Sequence, residues 1–210
     1  MTDFNEIQET LVNCDGDKLL ELVEKALEEK VPAEEILNSG LIAGMDIVGE
    51  KMENEDMFIP EVLMAAQAMS RCVELLKPLL KEEESKAKGS VVIGTVKGDL
   101  HDIGKNLVAM MIESAGLDVH NLGVDIAPEK FVEEIKKKNA TILCLSALLT
   151  TTMPMMKKTI DAVTEGGLRE QVKIMVGGAP VTQSFADEIG ADGFAADAGS
   201  AARKAKTFVA

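Results

Sequence analysis

The sequence predicts an α/β chain in two parts: an N-terminal four-helix bundle, then a doubly wound parallel five-stranded domain of Rossmann or flavodoxin-like type. Three observations carry this. Residues 3–86 repeat their apolar positions at helical spacing and hold almost no strand-like run. After Gly89 short apolar runs alternate with helix-like segments five times, the pattern of successive βα units. The charge also changes near that point. Residues 1–88 carry 9 Lys/Arg against 21 Asp/Glu, a net of −12, whereas residues 89–210 carry −2. The expected domains are therefore a helical domain at 1–88 and a sheet domain at 89–210.

The first helix follows from Phe4, Ile7 and Leu11. Asp15-Gly16-Asp17 interrupts it and starts a second through Leu19, Leu20, Leu22, Val23, Ala26 and Leu27. Val31-Pro32 closes the second, because proline disfavours helix in the residue before it. Pro32 is expected in the first turn of a third helix, with Glu34 and Glu35 near its positive end. The apolar face of that helix would be Ile36, Leu37, Leu41, Ile42, Met45, Val48 and Met52. Pro60 opens a fourth through Val62, Leu63, Ala66, Met69, Val73, Leu76 and Leu80. Four helices with short connections favour an antiparallel bundle. The charged stretch at residues 81–89 reads as a linker, and the candidate hinge.

In the second part the expected strands are Val91–Val96, Val119–Leu122, Thr141–Leu145, Lys173–Val176 and Gly193–Ala195. The helices between and after them are Gly104–Ala115, Pro128–Lys138, Met153–Glu165, Thr182–Ile189 and Ser200–Phe208. Continuous apolar strands suit a parallel sheet covered on both faces.

Composition excludes several function classes. An acidic chain without basic clusters is a poor partner for nucleic acid or an anionic membrane. No apolar run approaches the ~18 residues of a membrane span. The acidic N-terminus lacks an apolar signal core. Cys14, Cys72 and Cys144 are isolated, which suits a reducing cytoplasm and argues against disulfides or a zinc cluster.

The chemistry centres on Gly98-Asp99-Leu100-His101-Asp102-Ile103-Gly104-Lys105-Asn106, between the first strand and its helix. A Walker A loop is excluded: five residues separate Gly98 from Gly104, and Asn106 replaces the required Ser/Thr. A GxGxxG fingerprint is absent, and a His-Asp phosphohydrolase would need more histidines than His120 supplies. Read for itself, Asp99-x-His101 admits two readings. The imidazole can bind a metal through one ring nitrogen while the carboxylate two residues earlier holds the other. Or it is a locally bonded loop histidine, with Asp102 capping the helix and Lys105 at the surface. Two further stretches fall on the same carboxyl edge: the hydroxyl run Ser146-Ala147-Leu148-Leu149-Thr150-Thr151-Thr152 after the third strand, and Gly177-Gly178 after the fourth.

Together, Asp99-x-His101-x-x-Gly104, Ser146-x-Leu148 and Gly177-Gly178 resemble the binding signature of cobalamin-dependent proteins. The helical part, through Met45-Asp46-x-Val48-Gly49 and Met57-Phe58-Ile59-Pro60, resembles the cap domain of methionine synthase and of free-standing corrinoid proteins of methyltransferase systems. The resemblance implies a cobalamin or related corrinoid, carrying cobalt, with His101 as lower axial ligand and Asp99 as its hydrogen-bonded carboxylate. Thr152 stands where methionine synthase has the serine that completes that relay. Gly104 matches the motif glycine. Ser146, Leu148, Thr150, Gly177 and Gly178 match positions along the buried nucleotide tail, and Met52 and Ile59 match the residues that cover the upper corrin face. The implied role is a methyl carrier rather than a complete enzyme. It would accept a methyl group on cobalt(I) from a substrate-specific methyltransferase and donate it, from methyl-cobalt(III), to an acceptor methyltransferase using tetrahydrofolate or coenzyme M. A reductive activation protein would be a further partner. A cobalamin-sensing regulatory module is the alternative.

Overall fold

The computed structural model describes residues 2–80 and 89–209. The chain divides into two compact units, Met1–Lys86 with Ser114–Gly116, and Ala87–Glu113 with Leu117–Ala210. The hinge expected at 81–89 lies, Gly89 apart, outside the described residues.

In the first unit α1 (Phe4–Val12) starts at Asp3, whose carboxylate accepts from the Asn5 amide. α2 (Gly16–Glu28) starts at Asp15, which accepts from the Lys18 amide. Each cap satisfies an amide that the first helical turn leaves without a partner. The third predicted helix is composite: α3 (Ala33–Glu35), a π-helical stretch Ile36–Ile42, then α4 (Ala43–Glu53). Pro32 is the N-cap of α3 rather than a residue of its first turn. The π stretch widens the turn and moves the buried face off a strict 3.6 period. Ile36, Gly40, Leu41, Met45 and Val48 are buried, whereas Leu37, Ile42 and Met52 are only half-buried. Small residues let α1 come close: a Cβ on Gly44 would stand 2.8 Å from Leu11 Cδ2. α5 (Ile59–Leu76) follows, its start closed by the Phe58 amide donating to Glu61 Oε2 at 2.8 Å. α1 packs on α2 and α4, and α5 on α2 and α4, so four helical rods close around one core.

The second unit is a five-stranded, all-parallel sheet in the order β2-β1-β3-β4-β5. Its strands are β1 (Ser90–Thr95), β2 (Asp118–Asn121), β3 (Ile142–Ser146), β4 (Lys173–Gly177) and β5 (Gly193–Ala195). Its helices are α6 (Ile103–Ser114), α7 (Pro128–Lys138), α8 (Pro154–Glu165), α9 (Gln183–Ile189) and α10 (Ala198–Phe208). Val92, Leu143, Leu145, Ile174 and Val176 pack with Phe131, Met156, Ile160 and Val163 from α7 and α8. The alternate positions Val91, Ile93, Ile142, Cys144 and Met175 point to the opposite face and are buried as well, as a doubly covered sheet requires. Thr182, expected as the first residue of its helix, is instead the N-cap of α9, and Asp197 caps α10, which starts two residues before the expected Ser200: their side chains accept from the Phe185 and Ser200 amides.

Register places the site. Thr95 pairs with Ser146, Ser146 with Gly177, and Gly177 with Ala195, one row across the carboxyl edge. The strand order reverses between β1 and β3, so the loops that follow these two strands flank the crevice where open α/β sheets bind ligands.

Candidate functional site at the carboxyl edge

The loop after β1 turns at once. The Asp99 amide donates to the Val96 carbonyl at 3.1 Å, and Gly98, at the third position of that turn, has φ +83°. A positive φ there is the type II pattern, which glycine adopts without steric cost. The turn drives the Asp99 side chain inward, to 0 % exposure.

There the carboxylate is divided between two loops. Oδ1 serves its own loop, accepting from the His101 amide at 3.1 Å and lying 2.7 Å from His101 Nδ1. Oδ2 serves the loop after β3, accepting from the Leu148 amide at 2.7 Å, the Leu149 amide at 3.3 Å and Thr152 Oγ1 at 2.7 Å. Thr152 is itself buried. Burial alone would raise the Asp99 pKa. The hydrogen bonds from His101, Leu148 and Thr152 outweigh it and hold the group well below the usual carboxylate range. Asp99 is thus a fixed anion that ties the two loops together across the β1/β3 switch point.

His101 is the outward end of this arrangement. Its side chain is 51 % exposed. A carboxylate at Nδ1 can only accept, which favours the tautomer with the proton on that nitrogen and leaves Nε2 as the ring atom available to a ligand. The His101 carbonyl accepts from the fully buried Thr95 hydroxyl at 2.8 Å, so the residue is pinned through its backbone as well. Three large apolar side chains on the same two loops, Leu100, Leu148 and Leu149, are exposed, as is Ile103 at the start of α6. A patch of this kind beside a polar group is the usual surface of a binding site.

The other predicted residues distribute unevenly. Gly104, the second residue of α6, has nothing within 4 Å of where a Cβ would stand. Ser146 ends β3 half-buried, and Thr150 is exposed on the loop beyond it. Gly178 has φ +128°, and a Cβ on it would fall 2.0 Å from the Ala147 carbonyl oxygen. Only glycine lets the loops after β3 and β4 approach so closely. Gly177 stands beside it, where a Cβ would lie 3.0 Å from the Ala195 oxygen. Met52 and Ile59 belong to the helical unit. Met52 is half-buried near the end of α4, and Ile59 is exposed as the first residue of α5.

Lys105 corrects its sequence reading. It is 4 % exposed, not a surface residue. Its Nζ donates to Asn106 Oδ1 at 2.7 Å and Asn121 Oδ1 at 2.6 Å, and Asn106 Nδ2 donates on to Asp102 Oδ2 at 3.1 Å. Burial lowers the lysine pKa, and Asp102 partly offsets this. The sequence also gave no direct sign of the Leu148 and Leu149 amides as partners of Asp99, since any residue supplies an amide. Thr95 carried a weak sign, a hydroxyl at the end of an otherwise apolar strand.

The site presents a single imidazole on a sheet edge, backed by a buried carboxylate. Among the described residues no group of three or more His, Cys, Asp or Glu could hold an ion by itself. This donor set suits a metal whose other positions are filled by its own macrocycle, and the open Gly104 and the exposed leucines suit a broad, largely apolar ring. Residues 89–205 match the B12 binding domain family, and residues 4–77 match a second family described in the same words. The chain is 48% identical over 208 residues to dimethylamine corrinoid protein 1 of Methanosarcina acetivorans, covering 99% of this chain and 97% of that protein. A cobalamin-binding protein from Desulfitobacterium hafniense, known by crystal structure, superposes with a TM-score of 0.88 at 32% identity and 100% coverage of both chains. The methanol:cobalamin methyltransferase complex MtaBC from Methanosarcina barkeri gives a TM-score of 0.83 at 29% identity, covering 97% of this chain and 78% of that one. The chain therefore belongs to the B12-binding family, as a corrinoid protein of the kind found in methyltransferase systems, and its cofactor is a corrinoid. No helix among the described residues is long and apolar enough to cross a membrane.

Proposed function

We propose that the chain is a methyl carrier between two methyltransferases, with His101 as the lower axial ligand of the corrinoid cobalt. The observation that carries this is the pairing of an exposed His101 ring with the buried Asp99 anion, 2.7 Å from its Nδ1. When bound, the corrinoid would supply the cobalt centre for methyl transfer. The chain's own residues do the rest. Asp99 holds the ring in orientation and favours the tautomer with the proton on Nδ1. Thr152 and the Leu148 amide hold Asp99 charged and in place behind the imidazole that would meet the metal.

Ser146, Leu148, Thr150, Gly177 and Gly178 are proposed to line the path of the nucleotide tail, with Gly104 giving the ring room. Met52 and Ile59 are proposed to cover the upper face from a helical domain at 1–88, with the binding domain at 89–210. Similarity to dimethylamine corrinoid proteins supports a methylated amine as the donor. The partners would be a substrate-specific methyltransferase, an acceptor enzyme using tetrahydrofolate or coenzyme M, and a reductive activation protein, all in the cytoplasm.

His101→Ala tests the reading. The half-exposed ring contributes little to the core, so the variant is expected to fold. It should bind cobalamin more weakly, with the absorption spectrum of a cobalt that lacks the protein imidazole. Unchanged affinity together with an unchanged spectrum would overturn the assignment. The donor is tested by methylating the wild-type holoprotein with a cognate methyltransferase and dimethylamine. Transfer from methanol and not from dimethylamine would replace the amine with another donor.

A further inference from the structure

We infer that Asp125, on the loop after β2, is a positioning residue for the His101 ligand, acting through the backbone on both sides of Asp99. The inference rests on the reading of His101 as the cobalt ligand. No motif marks Asp125, and its carboxylate reaches across 27 residues of sequence to do this.

Asp125 Oδ1 accepts from the Gly98 amide at 2.7 Å. The Asp125 amide donates to the Asp99 carbonyl at 3.0 Å. Asp125 therefore holds the Lys97–Gly98 peptide and the Asp99–Leu100 peptide, while the Gly98–Asp99 peptide between them is held by the Asp99 amide donating to Val96. With its main chain held at three points, Asp99 can place one carboxylate oxygen toward His101 and the other toward the loop after β3. Asp125 adopts φ +56°, a left-handed conformation that residues other than glycine rarely take and that Asp and Asn tolerate best. Its own loop is tied down beside the site: Thr95 donates its amide to the Gly123 carbonyl and accepts from the Ile126 amide, both at 3.0 Å. The Asn121–Lys105 bond secures the start of the same loop to α6.

The side chain of Asp125 also meets Lys97 Nζ at 3.2 Å. Both partners are largely exposed, so the ion pair adds little, and the bond to the Gly98 amide is the part that matters. That amide bond, with Lys97 second, keeps the Asp125 carboxyl below its ordinary value. The role asked of Asp125 is that of an acceptor at a fixed place, and asparagine can fill it. Glycine removes the acceptor while accepting the backbone conformation.

The test uses the full chain with Asp125→Gly, Asp125→Asn and Lys97→Ala. In the apoprotein, 15N NMR of the His101 ring reads the tautomer and the protection of the Nδ1 proton. In the cobalamin-reconstituted protein, the absorption spectrum reads the ratio of imidazole-bound to imidazole-free cobalt. Asp125→Gly should lose the protected Nδ1 proton and lower that ratio about tenfold, the low end of what loss of an outer partner costs a metal ligand. Asp125→Asn and Lys97→Ala should keep both signals. An Asp125→Gly protein that keeps its protected Nδ1 proton would overturn the inference, as would a Lys97→Ala protein that loses it. Failure of the ligand reading is seen separately, as a wild-type spectrum in His101→Ala. The apoprotein signal does not depend on cobalt.

Discussion

The chain contains two Asp-x-His triplets, Asp99-Leu100-His101 and Asp118-Val119-His120, and they have different environments. Asp118 and His120 lie on β2, the edge strand, where residues two apart share a face. Their contact, Asp118 Oδ2 to His120 Nε2 at 3.0 Å, needs nothing beyond the pleat, and Asp118 is 58% exposed. Asp99 and His101 lie on a loop, where spacing alone dictates no contact. Their 2.7 Å pairing depends on a glycine turn, a buried carboxylate and donors from a strand neighbour roughly 50 residues away in sequence. The same three-residue spelling gives a surface pair in one place and an imidazole held by a buried carboxylate in the other. The difference is whether the carboxylate is withdrawn from water and saturated with donors before a ligand arrives.

Three measurements sharpen this contrast. Asp99→Ala strands the Leu148 amide and the His101 ring and leaves the Thr152 hydroxyl only the Leu149 carbonyl, and should cost about 3 kcal/mol in urea unfolding. Asp118→Ala should stay within about 0.5 kcal/mol. Equal losses would remove the distinction. Next, Thr152→Val removes a buried donor to a charged acceptor and should cost about 2 kcal/mol, while Thr152→Ser should be nearly neutral. The third expectation concerns acid. Because the Asp99 pKa is depressed in the folded chain, its contribution is complete above the unfolded carboxylate value near ~4 and is lost as pH falls toward the folded value. The stability gap between wild type and Asp99→Ala should therefore narrow as pH drops below about 4. A gap that is constant in pH would mean that Asp99 is not held as an anion.

Much of the fold was legible because it rests on periodicity and on breakers. The five strands fall within one residue of their expected limits, and α7 runs over the expected Pro128–Lys138. The helical unit was harder where a π stretch shifted the buried face. Asn38-Ser39-Gly40 spells no π-helix by itself, and the small residues on this face matter through packing against α1. In the site, the chemically marked residues could be named from the chain: Asp99, His101, Thr152 and the glycine pair. The main-chain roles could not: the amides of Leu148 and Leu149 as partners of Asp99, although Leu148 itself was named for the nucleotide tail, and the amide of Asp125. Backbone amides look alike in every sequence. Lys105 was misplaced because a lysine on a loop-to-helix turn normally points to water, and only the meeting of α6 with the end of β2 supplies Asn121 to receive it.

By itself, then, the amino-acid order determined the division into helices and sheet, the alternation that makes the sheet parallel, and the residue types needed at one edge. These are local properties, set by side-chain period, proline, glycine and charge. Tertiary structure alone decided that Asp99 rather than Asp118 became the buried anion, that its two oxygens serve different loops, and that Asp125 holds the turn. Each depends on groups far apart in sequence being brought within hydrogen-bond distance out of water, where a fixed partner counts for more than it does at the surface.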